Sequence, residues 1–182
     1  KILHSPVNIG NQPWALSRWE RSLGLESDLV VNYSTWLGYP SDKCLSDIGD
    51  KSWAARKKRT SFALSSAFKY DVFHYYFGRS LMCWDDYGPR TPAWYADAKI
   101  SHYLGKRQFM TLQGCDIRLA SESNLANEFT ACRAGHCNAF KSCVSQYDQQ
   151  RIWMRDEILP MMDKVFYLNP FSNLLQDCKT EK

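Results

Sequence analysis

The sequence lacks the features that would point to several common classes of protein. No apolar run approaches the roughly 20 residues of a membrane span, and the chain has no internal repeats or low-complexity tracts. The formal net charge is only +4 over 182 residues, an excess too small to demand a polyanionic partner. No recognised nucleic-acid-binding motif is present, so we expect no nucleic acid as partner.

Evidence for secretion is also missing. The chain opens on Lys1 in a strand-like segment, without the pattern of a signal peptide. It has seven cysteines, an odd number, and nothing indicates an oxidising compartment. We therefore expect reduced thiols and a cytoplasmic location rather than a disulfide framework.

What is present is an alternation of short apolar runs with segments of helical periodicity. Because strands separated by helices imply parallel crossovers, the pattern predicts an α/β, Rossmann-like three-layer domain, a single domain over 1–182, with a mainly parallel sheet of about five or more strands. An irregular connection, functional or mobile, is predicted between residues 35 and 50. The predicted strands are Ile2–His4, Asp28–Tyr33, Val72–Phe77, Arg107–Leu112 and Val165–Leu168.

The predicted helices follow from apolar spacing and from Gly and Pro positions. Pro13 suits a first turn, and Pro160 should loosen the last turn of a long helix. These helices cover about Trp14–Leu23, Lys51–Phe68, a segment from Thr91 or Pro92 to Gly105, and a stripe from Tyr147 to Met162.

Polar groups follow the apolar strands directly, which is where open parallel sheets bind ligands. Gln113 and Gly114 end the fourth predicted strand, and Asp116 and Arg118 come just beyond. The Asp116 carboxylate could bond a hydroxyl, and Arg118 could pair with it or with an anion. A helix cap and a solvated charge are the structural alternatives.

A second polar loop, Asn8-Ile9-Gly10-Asn11, follows the first strand. Gly10 permits close approach of a ligand to the backbone, and the amides of a helix start favour a phosphate or sugar oxygen. An ordinary strand-to-helix turn is the alternative.

The order of these motifs resembles the N-terminal domain of a GT-B glycosyltransferase of the retaining family-4 type. The resemblance runs from Lys1 to about Pro170. It is carried by Ile2-Leu3-His4 with the loop 8–11, Asp71-Val72-Phe73-His74, the run 111–118, and Val165-Phe166-Tyr167-Leu168-Asn169-Pro170.

The resemblance implies that this domain holds a sugar or lipid-linked hydroxyl acceptor. A C-terminal domain or partner subunit, which these 182 residues do not contain, would bind the nucleotide-sugar donor. It implies that Asp116 and His74 position the acceptor hydroxyl, that Gly10 and Asn11 shape the loop beside them, and that no catalytic metal takes part. Related enzymes often have histidine where this chain has Gln113, and glutamine is not a general base.

Two histidines fall in predicted strands. His74 lies inside the third strand and His4 at the end of the first. In neighbouring parallel strands both could reach one crevice and deprotonate or orient a hydroxyl, so any base would be Asp116, His74 or His4. Burial as structural core histidines is the alternative.

Cysteines concentrate in a segment that reads as a Cys-rich insertion, 115–143. Four soft ligands within 30 residues could close a structural zinc site, although the spacing is not C-x2-C. Buried free thiols or adventitious disulfides are the alternatives. The four cysteines are Cys115, Cys132, Cys137 and Cys143.

The run Lys51–Arg59 is basic and contains Trp53. It could lie on an anionic membrane surface as a peripheral contact, or it could be the solvated face of a helix.

Aromatic residues in or beside the irregular loops could stack on sugar rings. They leave open a second function, a non-catalytic carbohydrate-binding or partner-interaction domain with a structural zinc site. These residues are Trp36, Tyr39, Trp84, Tyr87, Trp94 and Tyr95.

Overall fold

The computed structural model describes residues 1–83, 91, 93–126 and 130–167. Six strands form one sheet in the order β3-β2-β1-β4-β5-β6, and every neighbouring pair is parallel. The predicted α/β Rossmann-like three-layer fold is confirmed. The strands are β1 Ile2–Ser5, β2 Ser27–Tyr33, β3 Lys43–Ser46, β4 Val72–Tyr76, β5 Arg107–Thr111 and β6 Lys164–Phe166.

The helices lie on both faces of this sheet. His4 of β1 points to Glu20 of α1, whereas its neighbour Leu3 packs in the main core with Ala63 of α2 and Ala98 of α3. Successive residues of a strand face opposite sides, so α1 covers one face and α2 and α3 cover the other. The helices are α1 Gln12–Ser22, α2 Trp53–Lys69, α3 Ala96–Tyr103, α4 Ala120–Ala126, α5 Phe140–Ser142 and α6 Asp148–Trp153.

The structure corrects the segment 35–50, which was predicted to be irregular. Residues Lys43–Ser46 form β3, the edge strand, paired with β2. Only Leu45 of these four is buried, because an edge strand has one neighbour and little apolar surface to cover. The short apolar signal therefore gave no strand prediction.

The long helix predicted up to Met162 is not one continuous α-helix. Two π-helical segments, Cys143–Tyr147 and Met154–Ile158, flank α6, and a 3₁₀ turn, Leu159–Met161, carries Pro160. The helix expected from Thr91 or Pro92 begins at Ala96, and Pro92 lies outside the described residues.

The strand predicted over Val165–Leu168 runs over Lys164–Phe166 and ends before Tyr167. Leu168 and the following Asn169-Pro170 lie outside the described residues. In the part of the chain that the structure covers, no helix has the length and apolarity to cross a bilayer.

Candidate functional site: a cleft at the carboxyl ends of β4 and β5

The candidate site is a cleft above the carboxyl ends of β4 and β5. It adjoins the switch point between β1 and β4, where the strand order reverses and where ligands of such sheets bind. The cleft encloses about 90 Å³, below the roughly 300–1,000 Å³ of most small-molecule sites, so it would hold part of a ligand and leave the rest outside its open mouth.

Aromatic side chains form much of the wall. Phe77, Trp94 and Tyr147 are half-buried and line the cleft. Tyr95 is 3% exposed and donates its hydroxyl hydrogen bond to the carbonyl of Gly78, which ties the loop after β4 to the start of α3. Half-buried rings of this kind offer stacking faces to a ligand.

Cationic and amide groups stand among these rings. The Arg79 guanidinium lies over the Phe77 ring, 5.8 Å from its centroid. Arg151 donates to the Asp148 carboxylate over 2.8 Å, which fixes its direction, and Gln150 adds an amide beside it. Arg151 also contacts Cys143 Sγ at 3.5 Å through its second terminal nitrogen. Guanidinium and amide groups are of the type that bonds ligand hydroxyl or anionic oxygens.

Unusual backbone conformations concentrate at this edge of the sheet. Phe77 and Tyr95 have φ of 57° and 58°, and Asn11, in the loop after β1, has φ of 59°. The left-handed region is uncommon for residues other than glycine and is an outlier for a bulky side chain. Such strain is typical of ligand sites, where the surrounding structure must enforce it.

The two π-helical segments also meet the cleft. Tyr147 is the last residue of the first segment and Met154 the first residue of the second, and both line the cleft. π-Helical turns are rare and frequently occur at functional sites.

A Gly78→Ala substitution is expected to lower the free energy of unfolding by about 1–3 kcal/mol. Gly78 has φ of +58°, and a Cβ there would lie 3.2 Å from Met154 Cε and 3.3 Å from Asp116 Cβ. Urea unfolding measures the change. Gly105→Ala is the matched control, because Gly105 also has positive φ (+69°) but open space around it. An equal loss in both variants would contradict tight packing at Gly78.

Asp116 lines the cleft but is used mainly to hold its own turn. Its carboxylate accepts the backbone N–H of Gln113 at 2.9 Å and that of Gly114 at 2.6 Å, and the residue is 7% exposed. Burial raises its pKa, and the backbone hydrogen bonds oppose this shift. The geometry is that of the cap considered as the alternative, and a role in orienting an acceptor stays a prediction.

The predicted loop residues after β1 and β5 are brought together. The Gln113 side-chain amide donates to Oε1 of Gln12 over 3.1 Å, joining the two loops. Asn8 is 5% exposed and donates to the carbonyl of Pro40 over 2.9 Å, while Gly10 has φ of +60°. These residues shape the loops, but the cleft itself is lined by other side chains.

Arg118 lies beside Cys132, and its pairing with Asp116 or with an anionic ligand stays a prediction. Its guanidinium contacts Cys132 Sγ at 4.0 Å, and it does not line the cleft.

The structure does not bring His74 to the cleft. His74 lies two residues before the end of β4, on the face that α1 covers, and its Nε2 is 2.8 Å from Thr111 Oγ1. Burial, with a smaller effect of His4, lowers its pKa to about 3, so the imidazole is neutral near pH 7. His74 and His4 do lie side by side, with ring centroids 5.4 Å apart, but both are buried on the α1 face, and a role of His74 toward an acceptor hydroxyl stays a prediction.

His4 is also a core residue. It is fully buried, with Nε2 at 2.8 Å from Glu20 Oε2 and Nδ1 at 2.9 Å from the Tyr76 hydroxyl. Burial raises the pKa of Glu20, but hydrogen bonds from His4 and Ser27 outweigh it and lower the pKa overall. An ionised carboxylate only accepts, so Nε2 of His4 carries the proton.

The predicted zinc ligands are free thiols. Cys132 and Cys143 pack in one small apolar cluster, Cys137 is half-buried and Cys115 is exposed. Within the described residues, which include all four, no three His, Cys, Asp or Glu side chains are grouped to hold a metal ion. The zinc site is therefore not formed in this arrangement.

Sequence reasoning missed most of the polar wall. Arg79, Gln150 and Arg151 carry no motif, and only their place next to strand ends or rare helical turns could have indicated them. The aromatic signal found Trp94 and Tyr95, whereas Trp84 and Tyr87 lie outside the described residues. Comparison with models of protein families, with curated proteins and with solved structures finds no match to this chain.

Proposed function

We propose that this chain is the acceptor-binding half of a GT-B-type retaining glycosyltransferase, which transfers a sugar from a nucleotide-sugar to a hydroxyl acceptor. The observation that carries the proposal is the cleft, which combines aromatic faces with guanidinium and amide donors at the ligand-binding edge of a Rossmann-like sheet. Sugars have this dual character, since their rings present both apolar C–H faces and hydroxyl groups.

The roles within the cleft differ from those first expected. Arg79, Gln150 and Arg151 are the groups best placed to bind acceptor oxygens, and Trp94 and Tyr147 to stack on a sugar ring. The strained loops position these groups, and strain of this kind supports a preorganised site. The donor nucleotide would be bound outside these residues, by a second domain or subunit.

Saturation-transfer NMR with a panel of methyl glycosides tests sugar binding. We expect saturation of ring protons, and at least a tenfold weaker affinity for Trp94→Leu and Tyr147→Leu, because stacking on an aromatic face is lost. Trp19→Leu is the matched control, since Trp19 is 65% exposed on α1 and does not line the cleft. Absence of sugar binding by the folded protein would overturn the proposal.

The alternative, a non-catalytic carbohydrate-binding domain, uses the same cleft and differs in chemistry. Native mass spectrometry of the protein from its own source gives the mass of the whole chain and any bound metal. Incubation of that protein with nucleotide-sugars and the glycosides that bind would then yield a new glycoside if it is a transferase, and none if it is only a binder.

A further inference from the structure

We propose that a second surface, separate from the cleft, docks onto an anionic lipid bilayer. It lies at the carboxyl ends of β2 and β3, and we call it the basic edge. It consists of Trp36, Leu37, Ile48 and Trp53 together with the cationic run Arg56–Lys58.

The sheet topology brings these residues to one end of the molecule. Tyr33 and Ser46, the last residues of β2 and β3, are paired in register, so the two parallel strands end level. Trp36 follows β2 by three residues and Ile48 follows β3 by two. Trp53 is the first residue of the helix that leaves the same edge.

The apolar side chains at this edge are largely exposed to solvent. Trp36 is 89% exposed, Trp53 79%, Ile48 64% and Leu37 48%. The topology places these four at one end of the fold, and an exposed apolar patch is a mark of an interaction surface. Two of the four are tryptophans, whose amphipathic rings suit the interface between headgroups and acyl chains.

The charge at the basic edge matches anionic headgroups. Residues 47–58 contain four cations and two carboxylates. The cations are Lys51 and the three of Arg56–Lys58, and the carboxylates are Asp47 and Asp50. Arg56, Lys57 and Lys58 are exposed, and the first turn of α2 has no acidic residue to offset them. Positive charge beside exposed aromatic groups is the pattern of peripheral membrane contact.

The basic edge contributes nothing to the cleft, since none of its residues lines it. The inference therefore goes beyond the proposed function and can fail or succeed independently. If both hold, the protein would rest on the membrane by the same edge of the sheet at which its cleft opens, and the acceptor would be a lipid-linked hydroxyl compound.

Flotation of the purified protein with vesicles tests the surface. We expect binding to vesicles of phosphatidylcholine with phosphatidylglycerol, at least tenfold weaker binding to phosphatidylcholine alone, and release by added salt. A Trp36→Ser/Trp53→Ser double variant and an Arg56→Glu/Lys57→Glu/Lys58→Glu triple variant should each bind at least tenfold more weakly.

Phe68→Ser is the matched control. Phe68 lies at the other end of α2 and is 77% exposed, nearly as much as Trp53, so its loss should leave vesicle binding unchanged. Failure of the folded wild-type protein to float, undiminished binding by the two variants, or an equal loss in Phe68→Ser would each overturn the proposal. Sugar binding by the same variants should stay at the wild-type level, which separates this test from that of the cleft.

Discussion

The wild-type protein is expected to lose about 3 kcal/mol of its free energy of unfolding through His74 as the pH falls from about 7 to about 4.5. A His74→Gln variant should not show this loss. The pKa of His74 is lowered from 6.5 to about 3, mainly by burial and then by the neighbouring charge of His4. The unfolded chain therefore takes up a proton at a higher pH than the folded protein does. The contribution of the neutral His74 to the free energy of unfolding is fully present above pH 6.5. It is lost as the pH falls toward 3, by about 5 kcal/mol over the whole interval.

Urea unfolding over a pH series measures this effect as the difference between variant and wild type, in which the other titrating groups cancel. Glutamine can still bond Thr111, whose hydroxyl is 2.8 Å from His74 Nε2. The exposed His102 supplies a control, His102→Gln, for the loss of a histidine as such. A difference between the His74 variant and wild type that did not change with pH would show that His74 is not held neutral by burial.

The fold could be predicted because its central strands are buried on both faces and mostly apolar. β1, β2, β4 and β5 lie between neighbours and are covered by helices, so their sequences read as short apolar runs bounded by Gly or polar residues. β3 could not be predicted in this way, because an edge strand with one buried residue carries almost no pattern. The order of the strands in the sheet could not be predicted either, because it depends on contacts between segments that are distant in the sequence.

The sequence indicated the edge of the sheet at which the cleft opens, but most of the side chains it singled out do not line that cleft. A polar residue just after a strand can bind a ligand or bond the local backbone, and Asp116 does the second. His74 does not line the cleft, because the alternation of a strand turns it to the α1 face, together with Tyr76, which stacks on it at 4.5 Å. Arg79 and Arg151 are far apart in the sequence and line the same cleft only in the folded chain. No local sequence pattern could therefore predict that they belong to one site.

Asp97 is expected to show the opposite pH dependence. It is 1% exposed, and its carboxylate accepts from the Ser80 hydroxyl at 2.6 Å and from the Leu81 N–H at 3.0 Å. Burial raises its pKa from 3.8 to about 6 against these hydrogen bonds. The contribution of Asp97 to the free energy of unfolding is therefore fully present below pH 3.8. It is lost as the pH rises through 6, by about 3 kcal/mol.

An Asp97→Asn variant should accordingly be least stable, relative to wild type, in acid, and should regain about 3 kcal/mol of that difference by neutral pH. Ser80 and Leu81 bond different carboxylate oxygens. The amide nitrogen that replaces one of these oxygens cannot accept, so a loss of about 1–3 kcal/mol remains. The same urea series measures it, and a difference that stayed constant with pH would contradict a protonated Asp97.

His74 and Asp97 contact opposite faces of the sheet, so their effects should add in the double variant. Between pH about 4 and 6 the two groups change the free energy of unfolding in opposite directions as the pH changes. A variant that lacks one group should therefore show the pH dependence due to the other.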